Sequence, residues 1–385
     1  MMHFTVGNQI KLLRNGAEYF PALEDAITHA QHEIYLQTYI YQADSTGIRI
    51  GNALKLAAQR GVTVNVLLDG FGCKDLPKTY IDELQHSGVQ VMFYRSKISP
   101  WTLKRRRLRR LHRKIVIVDG VIGFVGGINI IDDNDVPNNI APRIDYAVRL
   151  EGPILVPIVM SVHRLWRRMA WSKMRPVDVS AVNDTLPSPQ QTIKTGLKAA
   201  FVLRDNVLHR RDIEKAYMAA ITDAKSEIII ANAYFVPGRR FRQAILAAAL
   251  RGVTVKLLLQ GRKEYMLMFA THAFYSEFLS GGIEIYEYRK SFMHSKVAVV
   301  DNHWATVGSS NIDPFSLLLA NEANVVVQDT KFATELKSEI EASIKSAYRV
   351  TSEEWEHSSM LKHFFSWMAY GVVRVFLGII GNTNE

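Results

Sequence analysis

Arg60-Gly61-Val62-Thr63-Val64-Asn65-Val66-Leu67-Leu68-Asp69-Gly70 returns later in the chain as Arg251-Gly252-Val253-Thr254-Val255-Lys256-Leu257-Leu258-Leu259-Gln260-Gly261. Each copy is a turn signal followed by β-branched and aliphatic residues, the pattern of a buried strand. Upstream, Ala26-Ile27-Thr28-His29-Ala30 with Glu33 and Ile34 corresponds to Ala220-Ile221-Thr222-Asp223-Ala224 with Glu227 and Ile228. The chain is therefore two copies of one unit. In each, helix-period residues run up to Ala30 or Ala224, an apolar strand starts at Ile34 or Ile228, and a helix rich in Ala and Leu precedes the Val-Thr-Val strand. Further strands are predicted from Val89 to Tyr94, Ile115 to Val118 and Tyr146 to Leu150, echoed from Ile283 to Tyr288, Val297 to Val300 and Val325 to Val327. The alternation predicts an α/β fold, each repeat a mixed sheet with helices on both faces.

The first repeat is expected over residues 1–175 and the second over 196–350. The segment 176–195 between them, with Pro187-Ser188-Pro189 and several small polar residues, reads as a linker. The 385 residues, 48% hydrophobic and 22% charged, have ordinary globular composition, which argues against disorder, collagen or a polytopic membrane protein. Cys73 is the only cysteine, so an internal disulfide and a cysteine-based structural zinc site are excluded. Forty-seven Lys and Arg against thirty-seven Asp and Glu give a net charge of +10, which favours a polyanionic partner: nucleic acid, anionic lipid or a phosphorylated substrate. The start of the chain has no basic segment leading into an apolar run, so no secretory signal is expected and the body is predicted to stay in the cytoplasm.

The chemistry is carried by His112-Arg113-Lys114-Ile115-Val116-Ile117-Val118-Asp119 and His294-Ser295-Lys296-Val297-Ala298-Val299-Val300-Asp301, both of the form H-x-K-x-x-x-x-D. Seven residues after each Asp stands a glycine, Gly126 or Gly308, with Asn129 or Asn311 three further on. Two such matches at equivalent places in a repeat, with equal downstream spacing, make a strong signal. Alternate residues of a strand face opposite sides, so His112 and Lys114 share a face while Asp119 points away. The same parity separates Asp301 from His294 and Lys296. Asp119 and Asp301 are thus expected to support the motif by holding the following loop.

Two imidazoles suit a two-step displacement at phosphorus. One neutral His attacks and forms a phosphohistidine, while the other, protonated, donates to the departing alcohol and then deprotonates the incoming one. Lys114, Lys296, Asn129, Ser309 and Asn311 are candidates to hold the phosphate oxygens, a task done by metal ions in many other phosphoryl-transfer sites, so neither metal nor cofactor is implied. Asp145 and Glu322, at comparable places after the two motifs, are expected to orient the histidines; the alternative is that they are strand-end carboxylates paired with arginines.

These motifs resemble those of the phospholipase D superfamily, whose members bring two H-x-K-x-x-x-x-D segments to one pseudo-twofold site. The resemblance extends to about Asp329 and implies two tandem phospholipase D-like repeats. Leu68-Asp69-Gly70, His112-Arg113-Lys114-Ile115-Val116, Asp145-Tyr146-Ala147-Val148-Arg149-Leu150-Glu151-Gly152-Pro153, Ala231-Asn232-Ala233-Tyr234-Phe235 and His303-Trp304-Ala305-Thr306-Val307-Gly308-Ser309-Ser310-Asn311 are similar to bacterial cardiolipin synthases of the B type. That subfamily implies phosphatidyl transfer between two phosphatidylglycerol molecules with release of glycerol, and a bacterial membrane location, peripheral or monotopic on the cytoplasmic side. One departure is Gly127, where the superfamily often has Ser, which the second copy keeps as Ser309. Analogy favours His112 as the nucleophile; the residues themselves leave the choice open.

Trp101-Thr102-Leu103-Lys104-Arg105-Arg106-Arg107-Leu108-Arg109-Arg110-Leu111 leads into the first motif, and its mix of cations and apolar side chains favours anionic headgroups over nucleic acid. His163 to Lys173 mixes arginines with Trp166 and Trp171, as either an interfacial helix or a basic helix packed on the body. The end of the chain, 351–385, contains an apolar stretch from Phe364 to Ile380, interrupted by Arg374: a buried helix, a marginal span or, preferred here, a membrane-resting anchor. Anionic phospholipid, specifically phosphatidylglycerol, and a membrane surface are the expected partners, with nucleic acid not expected. Transfer to water by a phospholipase D, a phosphodiesterase acting on nucleic acid and a non-enzymatic lipid-binding scaffold are the competing readings.

Overall fold

The computed structural model describes residues 2–95, 109–136, 142–172, 196–205, 208–262, 266–314, 316, 319–357 and 364–372. The first half carries strands β1 (Thr5–Arg14), β2 (Glu33–Thr38), β3 (Thr63–Asp69), β4 (Gln90–Tyr94), β5 (Arg110–Leu111), β6 (Lys114–Val118), β7 (Ile122–Gly126) and β8 (Tyr146–Glu151). Its helices are α1 (Asn15–Thr28), α2 (Ser45–Gln59), α3 (Lys78–His86) and α4 (Leu155–Ser172). The second half carries β9 (Leu197–Arg204), β10 (Glu227–Asn232), β11 (Thr254–Gln260), β12 (Glu284–Tyr288), β13 (Lys296–Val300), β14 (Trp304–Gly308), β15 (Ala320–Gln328) and β16 (Tyr348–Val350). With them come α5 (Asp212–Asp223), α6 (Arg239–Leu250), α7 (Met266–His272), α8 (Tyr275–Ser280), α9 (Thr330–Lys345) and α10 (Ser352–Glu356).

The repeated sequence makes repeated pairing. β2 lies between β3, parallel, and β6, antiparallel, just as β10 lies between β11 and β13. The two mixed sheets are joined at their edges, because β1 pairs antiparallel with β8 along Gln9 to Arg14 and with β9 at Thr5 and Asn8. β9 in turn runs along β15. One sheet therefore passes through both halves, where the sequence had predicted a sheet for each.

Strand alternation divides the core into layers. On one face of the first half, Ile34, Leu36, Val64, Val66, Val116 and Val118 pack against Leu23 and Ile27 of α1 and Leu54 and Ala57 of α2. Tyr35, Leu67, Ile115 and Ile117 face the other way, into a core shared with Val297, Val299, Val325 and Val327 of the second half and with α4 and α9. Because this shared layer draws on both repeats, the halves fold onto one another and the strand ends carrying the motifs are brought together.

Segment 163–173 is resolved in favour of the packed helix as far as it is described. In α4, His163 and Trp166 are buried, with His163 Nε2 3.2 Å from Glu33 Oε1, while Trp171 is 82% exposed. The second repeat also runs past the predicted boundary at 350: Trp355 of α10 is buried against Tyr275 and His272. The linker 176–195, residues 101–108 of the basic run and the chain beyond 372 lie outside the described residues. Residues 364–372 are helical, with Ser366 and Ala369 buried and Tyr370 edge-on to Phe274, whereas Phe364, Phe365, Trp367, Met368 and Val372 are exposed. Among the described residues no helix is long and apolar enough to cross a membrane.

Candidate active site

Each motif histidine is held by the backbone of the opposite half. β5 pairs in parallel with β15, Leu111 opposite Asn321, and the His112 N–H donates to the Asn321 carbonyl at 3.0 Å. In the same way Met293 bridges to Ile144, and the His294 N–H donates to the Ile144 carbonyl at 2.8 Å. The residue after each of these carbonyls is a carboxylate, so the register delivers Glu322 to His112 and Asp145 to His294. His112 Nδ1 lies 2.9 Å from Glu322 Oε1 and 3.0 Å from Oε2, and His294 Nδ1 lies 2.6 Å from Asp145 Oδ2. A carboxylate accepts, so Nδ1 carries the hydrogen and Nε2 keeps its lone pair for chemistry.

The lysines are drawn back over their own histidines. Lys114 Nζ donates to the His112 carbonyl at 2.8 Å and Lys296 Nζ to the His294 carbonyl, with Lys296 Nζ also 3.8 Å from Asp145 Oδ2. Burial pushes Lys114 down to about 7 and Lys296 to about 8, although Glu322 and Asp145 oppose the shift. Burial likewise lowers His112 below its usual 6.5, against the pull of Glu322. His294 falls well below that value, through burial and then the nearby Lys296, Lys114 and Arg143. Desolvation raises Asp145. A phosphodiester anion entering such a site would restore charge to both lysines and to an imidazole, so the site is electrostatically set up for an anion.

The remaining predicted residues divide. Asn129 is buried and its Oδ1 accepts from Ile40 N–H at 3.1 Å; Asn311 is buried with Oδ1 unpartnered. Ser309 is placed otherwise than expected: its hydroxyl donates to Glu322 Oε2 at 2.6 Å, so its proton is committed to a carboxylate rather than to a phosphate oxygen. Gly127 stands at the equivalent position because the shorter Asp145 occupies that space; a Cβ there would sit 2.2 Å from Asp145 Oδ1.

Asp119 and Asp301 hold a different segment from the one expected. Neither reaches the histidines. Asp119, with φ of 51°, accepts from the backbone N–H groups of Gln31, His32 and Glu33 at 2.8 to 2.9 Å. Asp301, also at φ 51°, does the same for Lys225, Ser226 and Glu227. The left-handed turn after β6 and β13 folds the carboxylate back along the sheet, so each Asp ties down the segment entering β2 or β10 rather than the loop that follows it.

Four site residues escaped the motif reading. Tyr39 lies edge-on to His112, ring centroids 4.8 Å apart, with Lys114 Nζ 5.4 Å from its ring. Phe292 stacks by His294 and has the Arg143 guanidinium 5.7 Å away. Asp69 accepts from Leu111 N–H at 2.7 Å, fixing the residue before His112. Tyr39 follows a strand end and Asp69 closes the repeated strand, positions that face a site in a fold of this kind; Arg143 and Phe292 had no such signal.

The sequence pattern of the family described as "Cardiolipin synthase, PLD-like domain" matches residues 23–139 and 217–344. Cardiolipin synthase B of Salmonella typhimurium is 39% identical over 97% of this chain and 90% of its own length. Cardiolipin synthase B of Escherichia coli is 38% identical over the same shares. Among solved structures, the phosphatidylserine synthase of Haemophilus influenzae superposes with a TM-score of 0.68, covering 96% of this chain and 93% of that one at 13% identity, a likeness of fold.

Proposed function

The chain belongs to the cardiolipin synthase family with phospholipase D-like domains, and from that premise we propose that it joins two phosphatidylglycerol molecules into cardiolipin and releases glycerol. The observation that carries the chemistry is the exchange of carboxylates between halves, Glu322 to His112 and Asp145 to His294. It leaves two imidazoles, each fixed in one tautomer, beside two buried lysines.

In the first step the Nε2 of one histidine attacks phosphorus, an N–P bond forms and the P–O bond to glycerol breaks. The other imidazole, protonated as the phosphodiester charge offsets its burial, gives its proton to the departing oxygen. It then takes the proton of the primary hydroxyl of a second phosphatidylglycerol, whose oxygen attacks phosphorus and breaks the N–P bond. Lys114, Lys296, Asn129 and Asn311 hold the non-bridging oxygens throughout.

The substrate lies in a bilayer, and the exposed row of Phe364, Phe365, Trp367, Met368 and Val372 gives an apolar, aromatic face suited to resting on one. The attachment is peripheral or monotopic, on the cytoplasmic side. Thin-layer analysis of phosphatidylglycerol vesicles incubated with the protein tests the reaction. Cardiolipin with equimolar glycerol is expected; phosphatidic acid in its place would show transfer to water, and neither product would remove the proposal.

A further inference from the structure

Arg113 sits between the two catalytic-motif residues His112 and Lys114, and alternation sends its side chain the other way, onto α4. There Nε donates to Gln37 Oε1 at 2.7 Å, and the terminal nitrogens donate to Ser161 Oγ at 2.8 Å and the Ser161 carbonyl at 3.3 Å. The residue is 5% exposed and all three acceptors are neutral. Burial pushes the guanidinium down to about 9, Arg168 adding to the effect, and it stays charged at neutral pH. Tyr94 and Asp205 oppose the shift, and a buried charge is costly unless it is paired.

Arg113 forms part of the wall of a cavity of about 530 Å³ between α4, β9 and α5. Arg164, Arg168, Arg204 and Lys215 line it with Arg113, against Asp205 and Asp212. Asp212 is already engaged by His209 at 2.8 Å and Lys215 at 3.9 Å. Arg164 and Arg168 make no ion pair among the described residues. The rest of the wall includes Met160, Leu165, Phe201 and Leu203, so cations and apolar side chains face the same space. Asn321, whose carbonyl holds the His112 N–H, is another lining residue.

We propose that this cavity is a second anion site, distinct from the transfer centre on the opposite face of the same strand, and that it takes the phosphate group of an anionic phospholipid or the same group free in solution. The choice of a phosphate rests on the reading of the protein as a phospholipid enzyme; the need for an anion rests on the cations that line the cavity, Arg113, Arg164 and Arg168 above all. The planar guanidinium groups suit phosphate oxygens, and the apolar wall suits the start of an acyl chain. Through Arg113 and Asn321, an occupant would touch the backbone that carries His112 and Glu322.

Calorimetric titration of the full chain bearing His112→Ala and His294→Ala, which cannot turn over, tests this with dihexanoylphosphatidylglycerol and, separately, inorganic phosphate. Two classes of binding event are expected for the lipid, the transfer centre, which takes both donor and acceptor, counting as one and the cavity as the other. Adding Arg164→Glu and Arg168→Glu, both at exposed positions, should weaken one event by about tenfold or more and leave the other. Lys114→Ala with Lys296→Ala should do the reverse. If phosphate also gives a second event sensitive to the two glutamates, the site reads the phosphate group alone; if only the lipid does, the acyl chain is required. A single event for both probes, or two events indifferent to the glutamates, overturns the proposal. Failure of the transfer reading would show in the product assay and not in this titration.

Discussion

His112 Nδ1, from the first half of the chain, lies 2.9 Å from Glu322 Oε1, from the second. Neither half can therefore orient its own histidine. The bond joins residues 210 positions apart and forms only when the shared core of β-strands, α4 and α9 has closed. Fold and chemistry are linked at this point, and the mirror contact of His294 with Asp145 repeats the link from the other side.

Replacement of His112 or His294 by Ala should each reduce transfer by about 10²–10⁴-fold or abolish it, with circular dichroism unchanged, because one step needs a nucleophile and both need proton transfer. A variant retaining a tenth of the wild-type rate in the vesicle assay would remove that histidine from the scheme.

Glu322→Gln and Asp145→Asn keep the shape of the side chain but lose the charge that fixes the tautomer. Each should lower kcat by on the order of 10²-fold or more while leaving KM within a few-fold. Ser309→Ala removes one hydrogen bond to Glu322, and a loss of about 1 kcal/mol, roughly five-fold in kcat, is expected. Steady-state kinetics on short-chain substrate separates the two sizes of effect.

Gly127→Ser asks the first half to imitate the second. The added Cβ would meet the Asp145 carboxylate at 2.2 Å, so Asp145 must leave His294 or the backbone must shift. A cost of about 1–3 kcal/mol in stability and a larger loss of activity than in Ser309→Gly are expected, read by thermal melting and by turnover.

The pH profile follows from the lysines as much as the histidines. Their lowered values mean that kcat/KM should fall as pH rises through the range from about 7 to about 8, where Lys114 and Lys296 lose their protons in the free protein. The acid side should fall below the ordinary histidine value of 6.5, as His112 and His294 become protonated and the nucleophile is lost. A profile flat from about pH 6 to pH 9 would contradict the lysine assignment, and an acid limb centred above 6.5 would contradict the histidine one.

Asp119→Ala and Asp301→Ala should behave as stability variants. Each strips an acceptor from three backbone N–H groups and is expected to cost about 1–2 kcal/mol in denaturant unfolding, with turnover per folded molecule preserved within a few-fold. Loss of catalysis without loss of stability would contradict a structural role.

The duplicated strands were legible because burial on both faces demands long apolar runs, and Val64, Val66 and Leu68 recur as Val255, Leu257 and Leu259. The strands that join the halves were not. β1 mixes Thr5, Asn8, Gln9, Lys11 and Arg14 with its apolar residues, and its partner β9 lies far along the chain. Strand parity told which way His112 faces but could not say which half supplies its carboxylate, since that depends on the register of β5 against β15. Parity also separated Asp119 from His112, while the left-handed turn that sends it back to Gln31, His32 and Glu33 depends on local backbone geometry. Ser309 was misread because the reach of Glu322, one carbon longer than Asp145, is visible only in three dimensions.

The most direct test of the two-histidine account is the stereochemical course at phosphorus. Phosphatidylglycerol made chiral by a single sulfur in place of a non-bridging oxygen is converted, and the configuration of the cardiolipin analogue is compared with that of the substrate. Two successive in-line displacements, the first by an imidazole, predict overall retention. Inversion would mean that the second alcohol attacks the first lipid directly, and that no covalent histidine intermediate lies on the path.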